Sequence, residues 1–261
     1  MFRVLLLVFA LFFNHQAWSL DKQDFERIAV KIEQNETGGQ DRFLVFWSEA
    51  EEFPSLGIGH FIWLPKGLDV PFEPTFYPMV EFVSKTHPAP EWVRDPNAPW
   101  ANKAEFDREG ESARVQALRQ WLKQTKPQQA EFIVQRFNQR MNALVEEVKD
   151  PIILANYRRL IQTSSGQFAL IDYANFKGFG NQKHERYQGE GWSLIQVLAD
   201  MSPQKNPYCA VAAFAQSAEK VLARRVELAP IERNEARWLP GWKKRLSGYQ
   251  DFDAEHCKEL N

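Results

Sequence analysis

The chain has 261 residues, 44% of them hydrophobic, with 32 basic and 34 acidic side chains and a formal net charge of −2. That length and apolar content are enough to bury a sizeable core. The near balance of charge excludes a general basic attraction to nucleic acid or to an anionic polymer.

Residues 1–19 read as a secretory signal: Arg3, an apolar core from Val4 to Phe13, then Ala17-Trp18-Ser19 with small residues at both specificity positions. The core is too short to span a bilayer, and no later apolar run is long enough either. The expected product begins at Leu20, is periplasmic or secreted, and has no stable membrane span. An uncleaved anchor is the alternative.

Indexed at about 100° per residue, Phe25, Ile28, Ala29 and Ile32 line one stripe of a helix that stops at Thr37-Gly38-Gly39. Glu36 falls inside the stripe, whereas Glu33 projects to its edge, where water reaches it. Glu36 is therefore the carboxylate expected to be partly desolvated and to hold a proton more tightly than usual. Such a carboxyl is what glycosidic cleavage needs as a general acid. Arg42 to Trp47 and Leu56 to Trp63, separated by the turn Ser48 to Glu52, predict a β-hairpin. Gly57 and Gly59 alternate with Leu56, Ile58 and His60, which in a strand suggests close approach of another backbone or a ligand. In extended chain Glu49, Glu51 and Ser55 share one face.

Seven prolines between Gly67 and Trp100 leave room only for a short helix, Tyr77 to Thr86, and Phe72, Phe76, Phe82, Trp92 and Trp100 argue that the segment packs as a cleft rim. From Ala104 onward the pattern is helical. Val115, Leu118 and Leu122 mark one helix, and Phe132, Ile133, Phe137, Met141, Leu144 and Val145 a second. Asp150-Pro151 caps a third, whose apolar face is expected to be Ile152, Leu154, Leu160 and Ile161. Ser164-Ser165-Gly166 separates it from a helix with Phe168, Leu170 and Ile171. Around Asp172 to Trp192, four glycines interleave with aromatics and amides, and Tyr173, Asn175, Tyr187 and Trp192 suit a sugar-binding wall. A glycine-rich helix connection is the alternative. Asn206-Pro207 should start a long helix, and the basic stretch from Arg224 to Arg245 reads as a solvated face with internal ion pairs. Cys209 and Cys257 are a possible disulfide. The five histidines show no metal-ligand spacing, so no metal or other cofactor is expected.

A helix-end acid, a carboxylate, then Ser55-Leu56-Gly57-Ile58-Gly59-His60 resembles the pattern of phage-type lysozymes, roughly E-x8-D-x5-T-I-G-I-G-H. Ser55 stands for the Thr and Glu49 for the Asp. The interval from Glu36 to Glu49 is four residues longer than in that pattern. The second carboxylate is thus left open between Glu49 and Glu51, with Glu52 and Asp172 as more remote candidates. The resemblance implies an α+β, mostly α-helical, lysozyme-like fold, a small β-hairpin lobe beside a larger helical lobe with a cleft between. Residues 20–261 would be a single such domain: the catalytic helix and hairpin at 20–65, the Pro-rich rim at 66–102 and the helical lobe at 103–261. It also implies an exported muramidase, acting as a monomer on peptidoglycan or a related polysaccharide. In it Glu36 protonates the leaving oxygen, and the second carboxylate and Ser55 hold the attacking water; His60, read as a structural histidine rather than a base, is a candidate for substrate binding. Tyr173, Asn175 and Gln196 also resemble the A-Y-N and G-L-M-Q signatures of lytic transglycosylases. A transglycosylase and a non-catalytic cell-wall glycan-binding module are the alternative functions.

Overall fold

The structure is a computed structural model and describes residues 22–180, 186–252 and 257. The expected signal at 1–19 lies outside them. Helix α1 (Lys22–Thr37) buries Ile28, Ala29 and Ile32 and ends where Gly38 and Gly39 take φ of 62° and 73°. Only glycine enters that region without cost, so the helix stops just beyond Glu36 and leaves it on the last turn.

A short 3-10 turn follows, then three two-residue strands: β1 (Val45–Phe46), β2 (Ser55–Leu56) and β3 (Phe61–Ile62). They form an antiparallel sheet in the order β1-β2-β3, with Val45 opposite Leu56 and Leu56 opposite Phe61. The single strand expected from Leu56 to Trp63 is therefore two strands. Gly57 at φ 68° and His60 at φ 46° fold the run back on itself. The expectation of a backbone or ligand close to the glycines is also corrected, because side chains of the fold crowd them. A Cβ on Gly57 would stand 2.3 Å from Gln129 Oε1, and one on Gly59 would stand 2.8 Å from the Phe61 ring and 2.9 Å from Ile133. Buried Gln129 accepts from Ile58 N at 3.0 Å and donates to Leu122 O at 2.7 Å and Thr125 Oγ1 at 3.1 Å, which pins the turn to the helices behind it.

The Pro-rich segment packs as its aromatics imply. Trp63 is buried among Phe76, Trp92 and Trp100, with ring centroids 4.6 to 5.9 Å away, and Pro65 bridges to Ala98. Its one α-helix is α2 (Phe76–Val83). Then come α3 (Lys103–Glu109), α4 (Ala113–Gln124), α5 (Lys126–Glu147), α6 (Pro151–Leu160) and α7 (Ser164–Lys177). Asp150 caps α6 by accepting from Ile152 N and Ile153 N. The apolar face expected for α6 is rotated: Ile153, Asn156, Tyr157 and Leu160 face inward, while Ile152 is 46% exposed. An amide can occupy that face because Asn156 Nδ2 donates to Leu198 O and Met201 O, both at 2.9 Å.

Strands β4 (Arg186–Tyr187) and β5 (Glu190–Gly191) make a second small sheet, followed by α8 (Leu194–Asp200), α9 (Pro207–Leu228) and α10 (Leu239–Ser247). Cys209 and Cys257 are paired in a disulfide. The architecture is α+β and mostly helical, and α7 is its axis, contacting α1, α5, α6, α8 and α9. It is buried from Phe168 through Ala174, as a helix apolar on all sides should be. Within that run Asp172 is charged. Among the described residues, no helix is long and apolar enough to cross a membrane.

Candidate active site

Asp172 has no exposed side-chain surface, and its carboxylate is fully engaged. Arg245 Nε donates to Oδ2 at 2.7 Å and Arg245 Nη2 to Oδ1 at 2.8 Å, Tyr249 OH donates to Oδ2 at 2.8 Å, and Asn35 Nδ2 donates to Oδ1 at 3.2 Å. Burial works against the charge on Arg245, but Asp172 and Glu36 hold it well above its ordinary range. Burial pushes the Tyr249 phenol well up, with Asp172 adding to the effect, so it stays a donor. The Arg245 guanidinium also lies 4.1 Å from the centroid of Phe176.

The same Nη2 that serves Asp172 reaches outward to Glu36 Oε1 at 2.7 Å. Glu36 is 13% exposed at its side chain, and its other oxygen lies 3.3 Å from His60 Nδ1. The sequence led us to expect Glu36 against apolar walls; instead it has a guanidinium on one side and an imidazole on the other. Asp172 and Glu36 together set two negative charges against the single guanidinium. His60 Nε2 is buried with no hydrogen-bond partner among the described residues.

On the sheet side, Ser55 Oγ donates to Glu51 Oε2 at 3.4 Å. Burial raises the Glu51 carboxyl above its ordinary range, with His60 and the Ser55 hydroxyl pulling the other way. The residue as a whole keeps an exposed surface, so the burial acts on its inward-turned carboxyl. Glu36 and Glu51 thus both act on His60, one from the end of α1 and one from the loop before β2. Glu49 is not in this group: its side chain is 90% exposed and pairs with Lys103 at 3.0 Å. Glu52 is also exposed.

Several expected site residues are placed elsewhere. Glu33 is only 8% exposed rather than solvated, because Lys126 at the start of α5 reaches across to it and to Asp41. Tyr173 is fully buried, with its hydroxyl donating to Trp192 O at 2.7 Å, so it has no ring face for a sugar. Trp192 is buried against Tyr187 at 4.4 Å and under Arg225, and Tyr187 OH donates to Glu235 at 2.8 Å. The expected sugar wall is largely core, since a glycine-rich turn lets its aromatics fold inward. Gln196 is likewise structural: it accepts from Ser193 N at 3.1 Å and fills the space beside Gly180 and Gly191. Asn175 remains exposed on α7.

Arg245 and Tyr249 are the residues that sequence reasoning missed. Their signal was present: Trp242, Arg245, Leu246 and Tyr249 are spaced three, four and seven apart, which places an arginine on an apolar stripe. A buried arginine requires a buried acid, and the lone Asp172 in F-A-L-I-D-Y-A is the matching half.

Comparison of the chain with protein-family models, with characterised proteins and with solved structures gives no match.

Proposed function

We propose that this protein is a lysozyme-like glycoside hydrolase that cleaves peptidoglycan glycan strands, with a cleft between the small sheet and the helices. The observation that carries this reading is the convergence of Glu36 and the Glu51–Ser55 pair on His60, with the buried Arg245–Asp172 pair behind Glu36. Glu36 is the general acid. Arg245 holds its Oε1, which leaves Oε2, on the side of His60, as the oxygen that serves a leaving glycosidic oxygen. Glu51 is the general base, since a carboxyl raised above its ordinary range accepts a proton from water more readily, and Ser55 helps to hold that water. His60 lies between the two, with its Nδ1 3.3 Å from Glu36. Arg245 and Asp172 position Glu36 without touching substrate.

The test is Glu36→Gln, which keeps size and polarity but removes the transferable proton. Release of reducing ends from purified peptidoglycan should fall by roughly 10² to 10⁴ while a pull-down on the same material is unchanged. Glu49→Gln is the control, because Glu33→Gln would strand the buried end of Lys126. The ion pair from Arg245 to Glu36 favours a second reading, a glycan-binding module in which Glu36 is structural. That reading wins if the wild type binds the glycan, releases nothing, and Glu36→Gln behaves identically. Products ending in an anhydro sugar would instead identify a lytic transglycosylase.

A further inference from the structure

A cavity of about 150 Å³ lies between α5 and α7. It is lined by Phe61, which directly follows His60, and by Asn175, one turn along α7 from Asp172. That is space for several waters or for one small substituent.

Its charge is unbalanced. Arg136 and Arg140, one turn apart on α5, both line it, and both donate through Nη2 to a single oxygen, Glu73 Oε2, at 2.9 and 2.8 Å. Glu73 belongs to the Pro-rich segment and is 61% exposed. Two guanidiniums therefore face one solvated carboxylate, which leaves one positive charge over. Burial, and then the neighbouring Arg140, pull the Arg136 guanidinium below its ordinary range, and Glu73 offsets this only in part. The rest of the wall is mostly apolar: the Phe137 and Phe179 rings lie tilted with centroids 5.8 Å apart, and Arg140 lies over the Phe179 ring at 5.6 Å. A guanidinium pair short of one anion beside apolar rings is complementary to a carboxylate on a short apolar arm, with the forks taking the carboxylate and the rings the arm.

We propose that this cavity is a subsite for a carboxylate-bearing substituent of the bound glycan, of alanyl or lactyl type, gripped by Arg136 and Arg140. The assignment rests on the adjacent site being a glycan site, and it selects acidic glycan over neutral polymers of the same sugars. Glu73 holds the arginines when the subsite is empty and gives way to the ligand carboxylate.

The experiment measures binding of soluble peptidoglycan fragments to the full chain, with their carboxylates free or converted to amides. N-acetylalanine, its amide and inorganic phosphate serve as small probes. The wild type should prefer the free carboxylate by about tenfold, and Arg136→Gln with Arg140→Gln should abolish that preference while leaving the amidated fragments bound as before. Glu73→Gln should tighten the carboxylate form severalfold by removing its competitor. The thermal midpoint of the double variant checks folding, and it should stay close to wild type because the carboxylate left behind, Glu73, is exposed and solvated. No preference for the free carboxylate, or equal loss on both fragment types, overturns the subsite. Tighter Arg-dependent binding of phosphate than of N-acetylalanine overturns its carboxylate chemistry. Binding of N-acetylalanine with no binding of any glycan overturns both the subsite's assignment to a glycan and the functional reading. If fragments bind with the carboxylate preference but are never cleaved, the hydrolase fails and the subsite stands.

Discussion

Asp172 and Glu235 both have side chains with no exposed surface, and both are held by arginine and tyrosine. Glu235 accepts from Arg225 at 2.6 and 2.8 Å, from Arg233 at 2.9 Å and from Tyr187 at 2.8 Å. Two guanidiniums serve that one carboxylate, and the group is closed. At Asp172 the count is reversed, because one guanidinium serves two carboxylates and the second, Glu36, leads out through His60 toward Glu51. Burial of an ion pair is therefore not in itself a sign of chemistry in this molecule. The distinguishing feature is a buried donor shared with a carboxylate that substrate can reach.

The largest expected effect tests that distinction. Glu235→Gln should destabilise the fold by about 3–5 kcal/mol in urea titrations, since it leaves Arg225 without its charge partner, and Asp172→Asn should do so by less, because Arg245 keeps Glu36. Turnover per folded molecule should then separate them. Glu235→Gln leaves it unchanged, while Asp172→Asn lowers it by about 10- to 100-fold through misplacement of Arg245 and Glu36. Equal turnover in the two variants would break the comparison. Acid unfolding adds a second measurement. Burial pushes Glu235 up, but Arg225, Arg233 and Tyr187 bring it down to about 2, against an ordinary value of 4.5. A depressed carboxylate contributes stability that is present above its unfolded value and lost as pH falls through its folded one. That loss should occupy the range from about 4.5 to about 2 and be absent in Glu235→Gln.

The outward end of the open cluster gives the next prediction. Glu51→Gln should lower turnover by roughly 10² to 10³, and Glu49→Gln by less than about twofold, measured as reducing ends released. Comparable losses in the two would place the base elsewhere.

How much of this was legible in the sequence follows from the range of the interactions. The stop of α1 after Glu36 was readable because Gly38 and Gly39 act locally. So was the start of α6, where Asp150 and Pro151 are cap chemistry. The choice between Glu49 and Glu51 was not, since both lie in one loop and what separates them is contact with Lys103 or with Ser55 and His60. Glu33 was misjudged because helical projection shows which way a side chain points but not that Lys126, far along the chain, comes to meet it. The glycine-rich stretch misled for a related reason: aromatics between glycines fit a binding wall and a packed turn equally well, and burial of Tyr173 and Trp192 decides between them.

Lys177 ties the two buried clusters together. Its ammonium lies 3.9 Å from the centroid of Phe176 and 3.7 Å from that of Trp242, and it is opposed by Arg225 and Arg245 while drawn to Glu235 and Glu36. Burial, with Arg225 next, brings it down to about 6 from an ordinary 10.5. Between those two values the unfolded chain binds a proton that the folded chain does not, so stability rises with pH across that window. The penalty is present in full below about pH 6 and nearly so at neutrality. Lys177→Met should therefore stabilise the fold at pH 7 by about 1–2 kcal/mol and flatten the rise toward pH 10, read from urea midpoints at the two pH values. A destabilised variant would show that the ring faces hold the charged amine and that the two clusters are coupled through a cation.

The smallest effect sharpens the assignment of Glu51. If Glu51 is the base, it must be deprotonated to act, so activity should fall as pH drops through its folded value, with the acidic limb lying above the ordinary 4.5. Burial sets that limb, whereas His60 and the Ser55 hydroxyl restrain it. Ser55→Ala removes one restraint: a hydrogen bond that favours the carboxylate is lost, the carboxyl holds its proton to higher pH, and the limb moves upward. The contact is long, at 3.4 Å. A bond of that length has less than the usual ~1 kcal/mol to give, which converts to a displacement of about half a pH unit or less. A profile of kcat/KM against pH for wild type and Ser55→Ala, each normalised to its own maximum, reads the displacement directly. If the acidic limb stays where it was or moves downward, the group titrating there is not Glu51, and the base must be sought among the carboxylates on the other side of His60.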